Sequence, residues 1–383
     1  MAIVFAQFGA YHVDRCEAVA RRLGDGIELT AVEVASGSRF YAWEPSGEVA
    51  AARKLTLFPG QDYEAVAKRR AFAAQWRVLR RQDVVFIGLS YVEAYVVVLA
   101  WALRLCGVRV VVMNDSKFDD FDRSLRLELV KRLILLAYHG AIVAGPRQVA
   151  YFRFLGFRRR PLLAGYDTVS LARVSSAAGE AGAEWAARPF LFVGRFVAKK
   201  NLAMLLEGYA LYARAAGLAA RRLVLAGDGE LAGEIDRQAT ALGVDHLVDR
   251  PGFLGTEAVS QAMAGSLALV LVSGEEQWGL VVNEALAVGL PVIVSDAVGA
   301  RDGLVRNLVN GFVVPAGSPG ALAAALAHMA RDEPAWQAMA AAARERAPLG
   351  DVAGFADAVE ALVFPDHAEV RTRAEALLSR MES

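Results

Sequence analysis

A loop near the middle of the chain carries two cations at a spacing that suits a diphosphate. Arg195 and Lys200 lie five residues apart in the segment 194–201, directly after an apolar run and before a helical pattern. Arginine offers a planar fork of donors and lysine a mobile point charge, so the two can converge on one anion. A basic loop that is merely solvated has the same composition. The motif by itself therefore leaves a phosphate site and a solvated loop equally open.

Two glutamates follow in the segment 273–287. Glu276 precedes a predicted helix start at Gly279, and Glu284 lies inside that helix, eight residues after Glu276. Carboxylates accept hydrogen bonds from sugar hydroxyl groups, and the free amides at a helix N-terminus bind phosphate. Most glutamates on helices face solvent. Glu284 has apolar neighbours, however, which predicts a semi-buried carboxylate with a bonding partner.

Two shorter motifs lie between these segments. The segment Gly227-Asp228-Gly229-Glu230 is predicted to join a strand to a helix, and such a turn is more often simple turn chemistry than a site. Phe253 follows the end of another predicted strand, where its ring could lie beside a nucleobase. Both motifs support a ligand site without defining one.

The first half of the chain alternates between strands and helices. Short β-branched runs are separated by stretches of helical periodicity, which favours a parallel sheet with helices on both faces. The predicted strands are Ile3–Phe8, Glu28–Val34, Asp83–Leu89, Arg109–Met113 and Ala141–Ala144. The predicted helices are Val13–Leu23, Tyr63–Arg81, Val92–Leu105 and Ser124–Ala137.

The same alternation restarts after residue 188. The predicted strands are Phe190–Val193, Leu223–Ala226, Leu267–Val272 and Val292–Ser295, and the predicted helices are Leu202–Ala215, Leu231–Leu242 and Gly279–Val288. The domains are predicted to cover residues 1–165 and 189–365, joined by a linker over 166–188, with a last helix over 366–383 that packs back on the first domain. The fold class is thus α/β, with two doubly wound, Rossmann-like domains facing across a cleft at the carboxyl ends of their strands.

Composition limits the class of protein. The chain has 383 residues, of which 55% are hydrophobic and 22% charged, as expected of packed globular domains. Its cysteines, Cys16 and Cys106, build no disulfide framework and fit a reducing cytoplasm. The first nine residues are interpreted as a strand rather than a signal peptide, and the apolar stretch Ala94–Leu103 is too short to span a bilayer. A cytoplasmic protein is expected, either soluble or peripheral on the inner face of the plasma membrane.

Charge is distributed unevenly along the chain. The net charge at pH 7 is zero, but residues 1–188 carry +7 and the remaining residues −7. Basic side chains cluster within 68–81 and at 158–160. A single cluster is usually a solvated helix face, whereas the difference between the halves suggests that the first domain meets an anionic membrane or a phospholipid-linked acceptor. A zero net charge argues against a nucleic-acid binder.

The motifs of the second half together resemble a known enzyme family. Arg195 with Lys200, Glu276 with Glu284, and the run Ala-Leu-Ala-x-Gly-Leu-Pro-Val-Ile-Val-Ser over 285–295 look like the retaining glycosyltransferases of family 4, also called glycosyl transferases group 1. That family has the GT-B fold. The resemblance covers most of the second domain, through the segment 310–314, and extends to the first domain in layout only.

The resemblance implies transfer of a sugar from a nucleotide-diphosphate sugar to an acceptor with retention of configuration. Arg195 and Lys200 would stabilise the diphosphate leaving group, and Glu276 would bind the donor sugar. The other implied donor-binding residues are Gly9, Gly194, Phe253 at the base, Gly279, Leu280, Val281 and Glu284 at the ribose. No cofactor or metal ion is expected, because two fixed cations and helix amides can replace the divalent ion that other sugar transferases use. Trp278 is expected to line the sugar pocket or to pack.

The acceptor side departs from the family pattern. Members commonly carry a histidine after the fourth or fifth strand of the first domain, but the segment 113–117 contains none. Asp115 and Lys117 are candidates to replace it, as are His12 and its neighbour Tyr11 after the first strand. His12 alone is more often a first-turn helix residue than a catalyst. The acceptor itself is expected to be a lipid-linked glycan, a glycolipid or an exopolysaccharide precursor.

Three other functions remain open. Asp120-Phe121-Asp122 spells the short acidic motif of metal-dependent GT-A transferases, although acids are also favoured just before a helix start near Ser124. A catalytically inactive scaffold could bind a nucleotide sugar or a partner transferase, but it would not require all of the cations and glutamates named above. A phosphorylase or polysaccharide synthase would share the fold, and a phosphorylase would carry pyridoxal phosphate on a lysine.

Overall fold

The computed structural model divides the chain into two compact units. Unit 1 consists of residues 1–170 together with residues 351–383, and unit 2 consists of residues 171–350. The structure describes residues 1–39, 47–120, 122–179 and 184–383.

Seven strands of the described part of unit 1 form one parallel sheet. They are β1 (Ala2–Phe5), β2 (Thr30–Gly37), β3 (Arg53–Asp62), β4 (Val84–Ile87), β5 (Arg109–Asn114), β6 (Gly140–Val143) and β7 (Leu162–Ala164). Their order across the sheet is β3-β2-β1-β4-β5-β6-β7. β1, β4 and β6 are buried along their whole length, as expected of strands with helices on both faces. The helices between the strands are α1 (Ala10–Leu23), α2 (Lys68–Leu79), α3 (Ala94–Leu105), α4 (Leu125–Ile134) and α5 (Pro146–Phe154).

Unit 2 repeats the design with six parallel strands among its described residues. The strands are β8 (Phe190–Val193), β9 (Leu223–Ala226), β10 (Val248–Gly252), β11 (Ala268–Leu271), β12 (Val292–Ser295) and β13 (Gly311–Val314), in the order β10-β9-β8-β11-β12-β13. The helices are α6 (Leu171–Ala178), α7 (Leu202–Ala216), α8 (Ala232–Ala241), α9 (Thr256–Ala264), α10 (Leu280–Ala287), α11 (Arg301–Leu304), α12 (Pro319–Met329) and α13 (Glu333–Arg346).

The chain then returns to unit 1 with α14 (Val352–Val363) and α15 (Ala368–Glu382). α14 packs against α1, and α15 packs against α14 and β7. The sequence analysis assigned residues 351–365 to the second domain, whereas the structure assigns them to unit 1. The physical reason is that the buried face of α14, which includes Phe355 and Val359, belongs to the core of unit 1. Residues 180–183 of the predicted linker lie outside the described residues.

The predicted α/β class is confirmed in both units, and the differences concern single elements. β3 was not predicted, because it is an edge strand with a single buried side chain that also contains Pro59 and Gly60. The predicted helix Tyr63–Arg81 is shorter, since Tyr63–Ala65 forms a separate 3-10 turn and α2 begins at Lys68. Within the described residues, no helix combines the length and the apolar composition that crossing a bilayer requires.

Candidate active site

The predicted donor-binding residues of unit 2 follow three strands at one edge of the sheet. Gly194 follows β8, Phe253 follows β10, and the segment 273–279 follows β11. Because neighbouring strands are parallel, their carboxyl ends lie at the same edge. The fold therefore collects residues that are far apart in sequence.

Lys200 and Glu276 are in direct contact at this edge. Lys200 Nζ donates a hydrogen bond to Glu276 Oε2, and the same oxygen accepts one from Ser273 Oγ at 3.1 Å. The two charged side chains are 14% and 12% exposed, so water screens this ion pair less than it would a surface pair. Arg195 lies half-buried on the same loop as Lys200. The cation and the carboxylate predicted to bind the donor thus form one cluster.

Asn201 fixes the loop that carries Lys200. Its backbone is left-handed, with φ 55° and ψ 41°, a conformation that asparagine tolerates better than most residues. Its side-chain amide donates to the carbonyl oxygens of Val272 at 3.3 Å and Ala316 at 2.8 Å. Asn201 therefore ties the loop after β8 to the ends of β11 and β13. The sequence analysis did not identify this role, although an asparagine directly before a helix start is a signal for it.

The tight turn after β9 packs against the loop that carries Arg195. A Cβ at Gly227 would lie 1.9 Å from the carbonyl oxygen of Gly194, and a Cβ at Gly229 would lie 2.6 Å from that of Phe196. Both glycines have positive φ, at 146° and 159°. Glycine is required at Gly227 because the two backbones approach too closely for any side chain.

The N-terminus of α10 lies next to the charged cluster. Gly279 precedes the helix with a positive φ of 98°, and the first helical residues, Leu280 and Val281, are partly exposed. Their unpaired amides are available to an anion. Glu284, two turns from Glu276, is buried at 5% exposure, as its apolar neighbours predicted.

Two aromatic residues near the site have different surroundings. Phe253 is 60% exposed at the end of β10, where its ring offers a free face. Trp278 is buried, and its Nε1 donates to Asn283 Oδ1 at 2.9 Å, while the Asn283 amide donates to the carbonyl oxygen of Gly350 at 3.1 Å. Of the two roles considered for Trp278, the structure supports packing.

In unit 1, Gly9 and His12 form the first turn of α1. Gly9 N donates to His12 Nδ1 at 3.0 Å, and the imidazole packs against Phe5 with 4.2 Å between ring centroids. Burial and the charge of Arg15 hold the pKa of His12 well below its usual value, so the ring is neutral. His12 thus caps the helix and fills the core, whereas its neighbour Tyr11 is partly exposed.

Asp115 lies at the carboxyl end of β5 in a group of ionisable residues. Burial and the carboxylate of Asp167 raise the pKa of Asp115 to about 8. Asp167 follows β7 and is bound by Arg15, whose Nη2 lies 3.3 Å from Asp167 Oδ1. The sequence analysis missed Arg15 and Asp167, although the position of Asp167 after a strand of a parallel sheet was a usable signal.

Lys117 forms ion pairs with Asp120 of the acidic motif and with the preceding Asp119. Lys117 is 1% exposed, and its Nζ lies 3.1 Å from Asp120 Oδ1 and 3.4 Å from Asp119 Oδ1. Phe121 of the acidic motif lies outside the described residues. Across the ranges that the structure describes, no three His, Cys, Asp or Glu residues are grouped as metal ligands. The pairing gives Lys117 and Asp120 a structural role.

A groove of about 690 Å³ occupies the opposite, amino-terminal edge of the unit 1 sheet. Its lining includes Met1, Arg53, Arg81 and Arg109, at the starts of strands rather than at their ends. The groove therefore lies away from Gly9 and Asp115.

Most of the second unit is similar to a known protein family. Residues 187–346 match the family described as Glycosyl transferases group 1. The chain is similar to that family over this stretch. The matched stretch contains Arg195, Lys200, Glu276 and Glu284, which form or adjoin the charged cluster at the sheet edge.

Similarity to a relative extends beyond that stretch. EpsF of Bacillus subtilis is 36% identical over 228 residues, covering 55% of this chain and 58% of EpsF. The chain thus spans little more than half the length of that curated relative.

Solved structures share the fold of both units. Sucrose-phosphate synthase of Thermosynechococcus elongatus has a TM-score of 0.73 at 19% identity, covering 96% of this chain and 99% of that chain. HepE of Anabaena, solved in complex with UDP and glucose, has a TM-score of 0.72 at 18% identity, covering 95% of this chain and all of that chain. At these identities the similarity shows the fold, two Rossmann-like α/β units of the GT-B class.

Proposed function

We propose that this protein is a retaining glycosyltransferase of family 4 that moves a sugar from a nucleotide-diphosphate sugar to an acceptor. The observation that carries the proposal is the contact of Lys200 with Glu276 beside Arg195 and the N-terminus of α10. This arrangement offers fixed positive charge for a diphosphate and a carboxylate for sugar hydroxyl groups. The match of residues 187–346 to group 1 supports the same activity.

The proposed chemistry uses charge that is already in place. When the bond between the sugar and the diphosphate breaks, negative charge grows on the diphosphate oxygens. Arg195, Lys200 and the amides of Leu280 and Val281 would stabilise that charge, and preorganised donors of this kind are the largest contributors in many enzymes. Glu276 would orient the sugar, Glu284 the ribose, and the exposed ring of Phe253 the base. The reaction in this scheme is independent of metal.

The acceptor would bind to unit 1, where Asp115 is the strongest of the four candidates. Lys117 is paired with Asp120 and His12 packs inside the core, so neither is placed to bind an acceptor. With its raised pKa, Asp115 holds a proton near neutral pH and would donate a hydrogen bond to an acceptor oxygen. The acceptor class proposed is a lipid-linked glycan, a glycolipid or an exopolysaccharide precursor at the cytoplasmic face of the plasma membrane.

Ligand-dependent unfolding of the purified chain tests the proposal. UDP, GDP, ADP and their sugar conjugates are added first with a chelator and then with Mg²⁺ or Mn²⁺. A nucleotide present at 100 times its dissociation constant adds about 2.7 kcal/mol to the free energy of unfolding. We expect one nucleotide to raise the unfolding temperature in the presence of chelator. Lys200→Ala should reduce the increase, and Lys199→Ala, which removes an exposed lysine next to it, should preserve it.

The same experiment separates the proposal from its alternative, an inactive scaffold that binds a nucleotide sugar or a partner transferase. Nucleotide binding without turnover of any sugar conjugate would favour the scaffold. An increase that requires metal would contradict the metal-independent mechanism, and no increase with any nucleotide would contradict the donor site.

A further inference from the structure

Helix α4 of unit 1 has its apolar side chains on the outside. Six of the apolar residues in and just after the helix are exposed by 47 to 73%. They are Leu125, Leu127, Leu129, Val130, Leu133 and Leu136. Helices on the surface of a globular unit usually turn such residues toward the core. The pattern of α4 is the reverse, so its leucines contribute little to the folding of unit 1.

The side of α4 that faces the protein carries a polar network in addition to Ile134, which packs against the core. Glu128 is buried at 3% exposure and accepts hydrogen bonds from Tyr151 Oη at 2.6 Å and Lys131 Nζ at 2.7 Å. Arg123, before the helix, donates to the same Tyr151 hydroxyl at 3.0 Å. These bonds fix the rotation of α4 about its axis. The outward position of the leucines is therefore set by a specific polar network.

Aromatic and basic residues continue this outer face. Phe118 and Phe154, 52% and 46% exposed, meet edge to face with 5.8 Å between ring centroids. The turn after α5 reaches the end of α4, because Arg160 Nη1 donates to the carbonyl oxygen of Leu135 at 2.6 Å. That turn exposes Arg158 and Arg159.

We propose that this surface docks on a lipid bilayer with anionic headgroups. The α4 surface is defined as the six apolar residues of α4 named above, Phe118, Phe154, and the exposed arginines Arg126, Arg132, Arg153, Arg158 and Arg159. Leucines and phenylalanines would enter the headgroup–acyl boundary, as in helices that lie in a membrane interface. The arginines, with long apolar stems, would reach phosphate groups around them.

Charge favours a bilayer over a second copy of this chain. A symmetric contact would place the arginines of one copy against those of the other, since the same surface is used twice. Two exposed acids precede α4, namely Asp122 and Asp119, and Asp119 is paired with Arg147 at 2.8 Å. Five exposed arginines around an apolar face therefore complement an anionic sheet of headgroups.

Docking on a bilayer would bring unit 1 to a lipid-linked acceptor, and only this purpose of the docking rests on the proposed function. Binding to a bilayer is a separate property that requires neither donor nor turnover.

Flotation of the full chain with vesicles tests the docking surface. Vesicles of phosphatidylcholine alone are compared with vesicles that also contain phosphatidylglycerol, and we expect binding to the second. Leu129→Ser combined with Leu133→Ser should weaken binding at least tenfold. Leu105→Ser is the matched control, because Leu105 is 81% exposed outside the α4 surface and its replacement should leave binding unchanged.

A charge-reversal pair tests the basic part of the surface. The loss of one basic residue near the membrane weakens binding roughly fivefold. Arg158→Glu with Arg159→Glu removes two positive charges and adds two negative charges, so it should weaken binding by more than this. Arg80→Glu with Arg81→Glu makes the same charge change in the other basic cluster and should have a much smaller effect. Equal losses from both pairs would mean that net charge, rather than the α4 surface, governs binding.

Two results would overturn the inference. One is an absence of binding to the anionic vesicles while the chain still binds its nucleotide, which leaves the proposed function intact. The other is a dimer in sedimentation that the Leu129 and Leu133 replacements dissociate, which would assign the surface to a second copy. All variants should keep the wild-type unfolding temperature and nucleotide affinity, because the replaced side chains lie outside the core and the donor site.

Discussion

Lys200 donates to Glu276, so the proposed binding of a diphosphate requires this pair to open or to share its hydrogen bonds. We expect Lys200→Ala and Arg195→Ala each to reduce kcat by about 10²–10³, the usual cost of removing one stabiliser of developing charge. Lys199→Ala is the control, since its side chain is exposed next to Lys200, and its kcat should stay near that of the wild type. The measurement is sugar transfer at saturating donor. Near-normal turnover in both alanine variants would place the diphosphate elsewhere.

Asp115 gives the stability of unit 1 a characteristic pH dependence. Its pKa is raised by burial and by Asp167 to about 8, above the ordinary value of about 3.9. Between these two values the folded state keeps a proton that the unfolded chain has lost. The contribution of Asp115 to the free energy of unfolding must therefore fall as the pH rises from about 4 to about 8.

Asp115→Asn has no carboxyl group to titrate at this position. Its free energy of unfolding should therefore rise relative to that of the wild type as the pH increases. From pH 5 to pH 8 we expect the difference in free energy of unfolding to move in favour of the variant by at least about 1 kcal/mol. Urea denaturation at the two pH values measures it, and the titration of His12 cancels because both proteins contain it. Parallel pH profiles would contradict the raised pKa.

At the scale of elements, the close approach of the turns after β8 and β9 leads to a prediction about Gly227. A Cβ there would lie 1.9 Å from the Gly194 carbonyl oxygen, so Gly227→Ala must push the two turns apart. We expect a loss of stability on the order of 3 kcal/mol and lower turnover, because Arg195 lies on the displaced loop. Gly233→Ala at the start of α8, where the nearest atom is 3.9 Å away, is the control and should be neutral or stabilising. Equal stability of the two variants in urea would show that the turns can separate freely.

The elements also show how far sequence reasoning reaches. Strands that are buried on both faces, such as β4 and β12, are continuous apolar runs and were predicted within a few residues. β3 was missed because an edge strand with a single buried side chain lacks that signal. The cations and glutamates of unit 2 carried a spacing pattern, whereas Asn201 and Asp167 act through partners far away in sequence. Pattern reasoning on one segment does not reveal such partners.

For the whole molecule, the chain returns to unit 1 earlier than its sequence predicts, at residue 351 rather than at residue 366. α14 packs against α1, which lies more than 300 residues earlier in the chain. Arg109 reinforces the return by donating to the carbonyl oxygens of Leu362 at 3.3 Å and Val363 at 3.2 Å. The core of unit 1 therefore requires residues 351–383 as well as residues 1–170.

This division predicts that two phenylalanine truncations have opposite effects. Phe355 on α14 is fully buried, and Phe355→Ala should destabilise unit 1 by about 3–5 kcal/mol without changing nucleotide affinity. Phe253 is 60% exposed in unit 2, so Phe253→Ala should leave the unfolding temperature unchanged. It should weaken nucleotide binding by about 1–3 kcal/mol if its ring stacks on the base.

Calorimetry with and without the bound nucleotide measures both effects in one experiment. In Phe355→Ala the transition of unit 1 should move to lower temperature, while the nucleotide still raises the transition of unit 2. In Phe253→Ala the nucleotide-dependent increase should shrink and both transitions should otherwise stay in place. If Phe355→Ala also abolished the nucleotide-dependent increase, the core of unit 1 would have to support the donor site. Each unit would then depend on the other for its fold, contrary to two units that each have their own core.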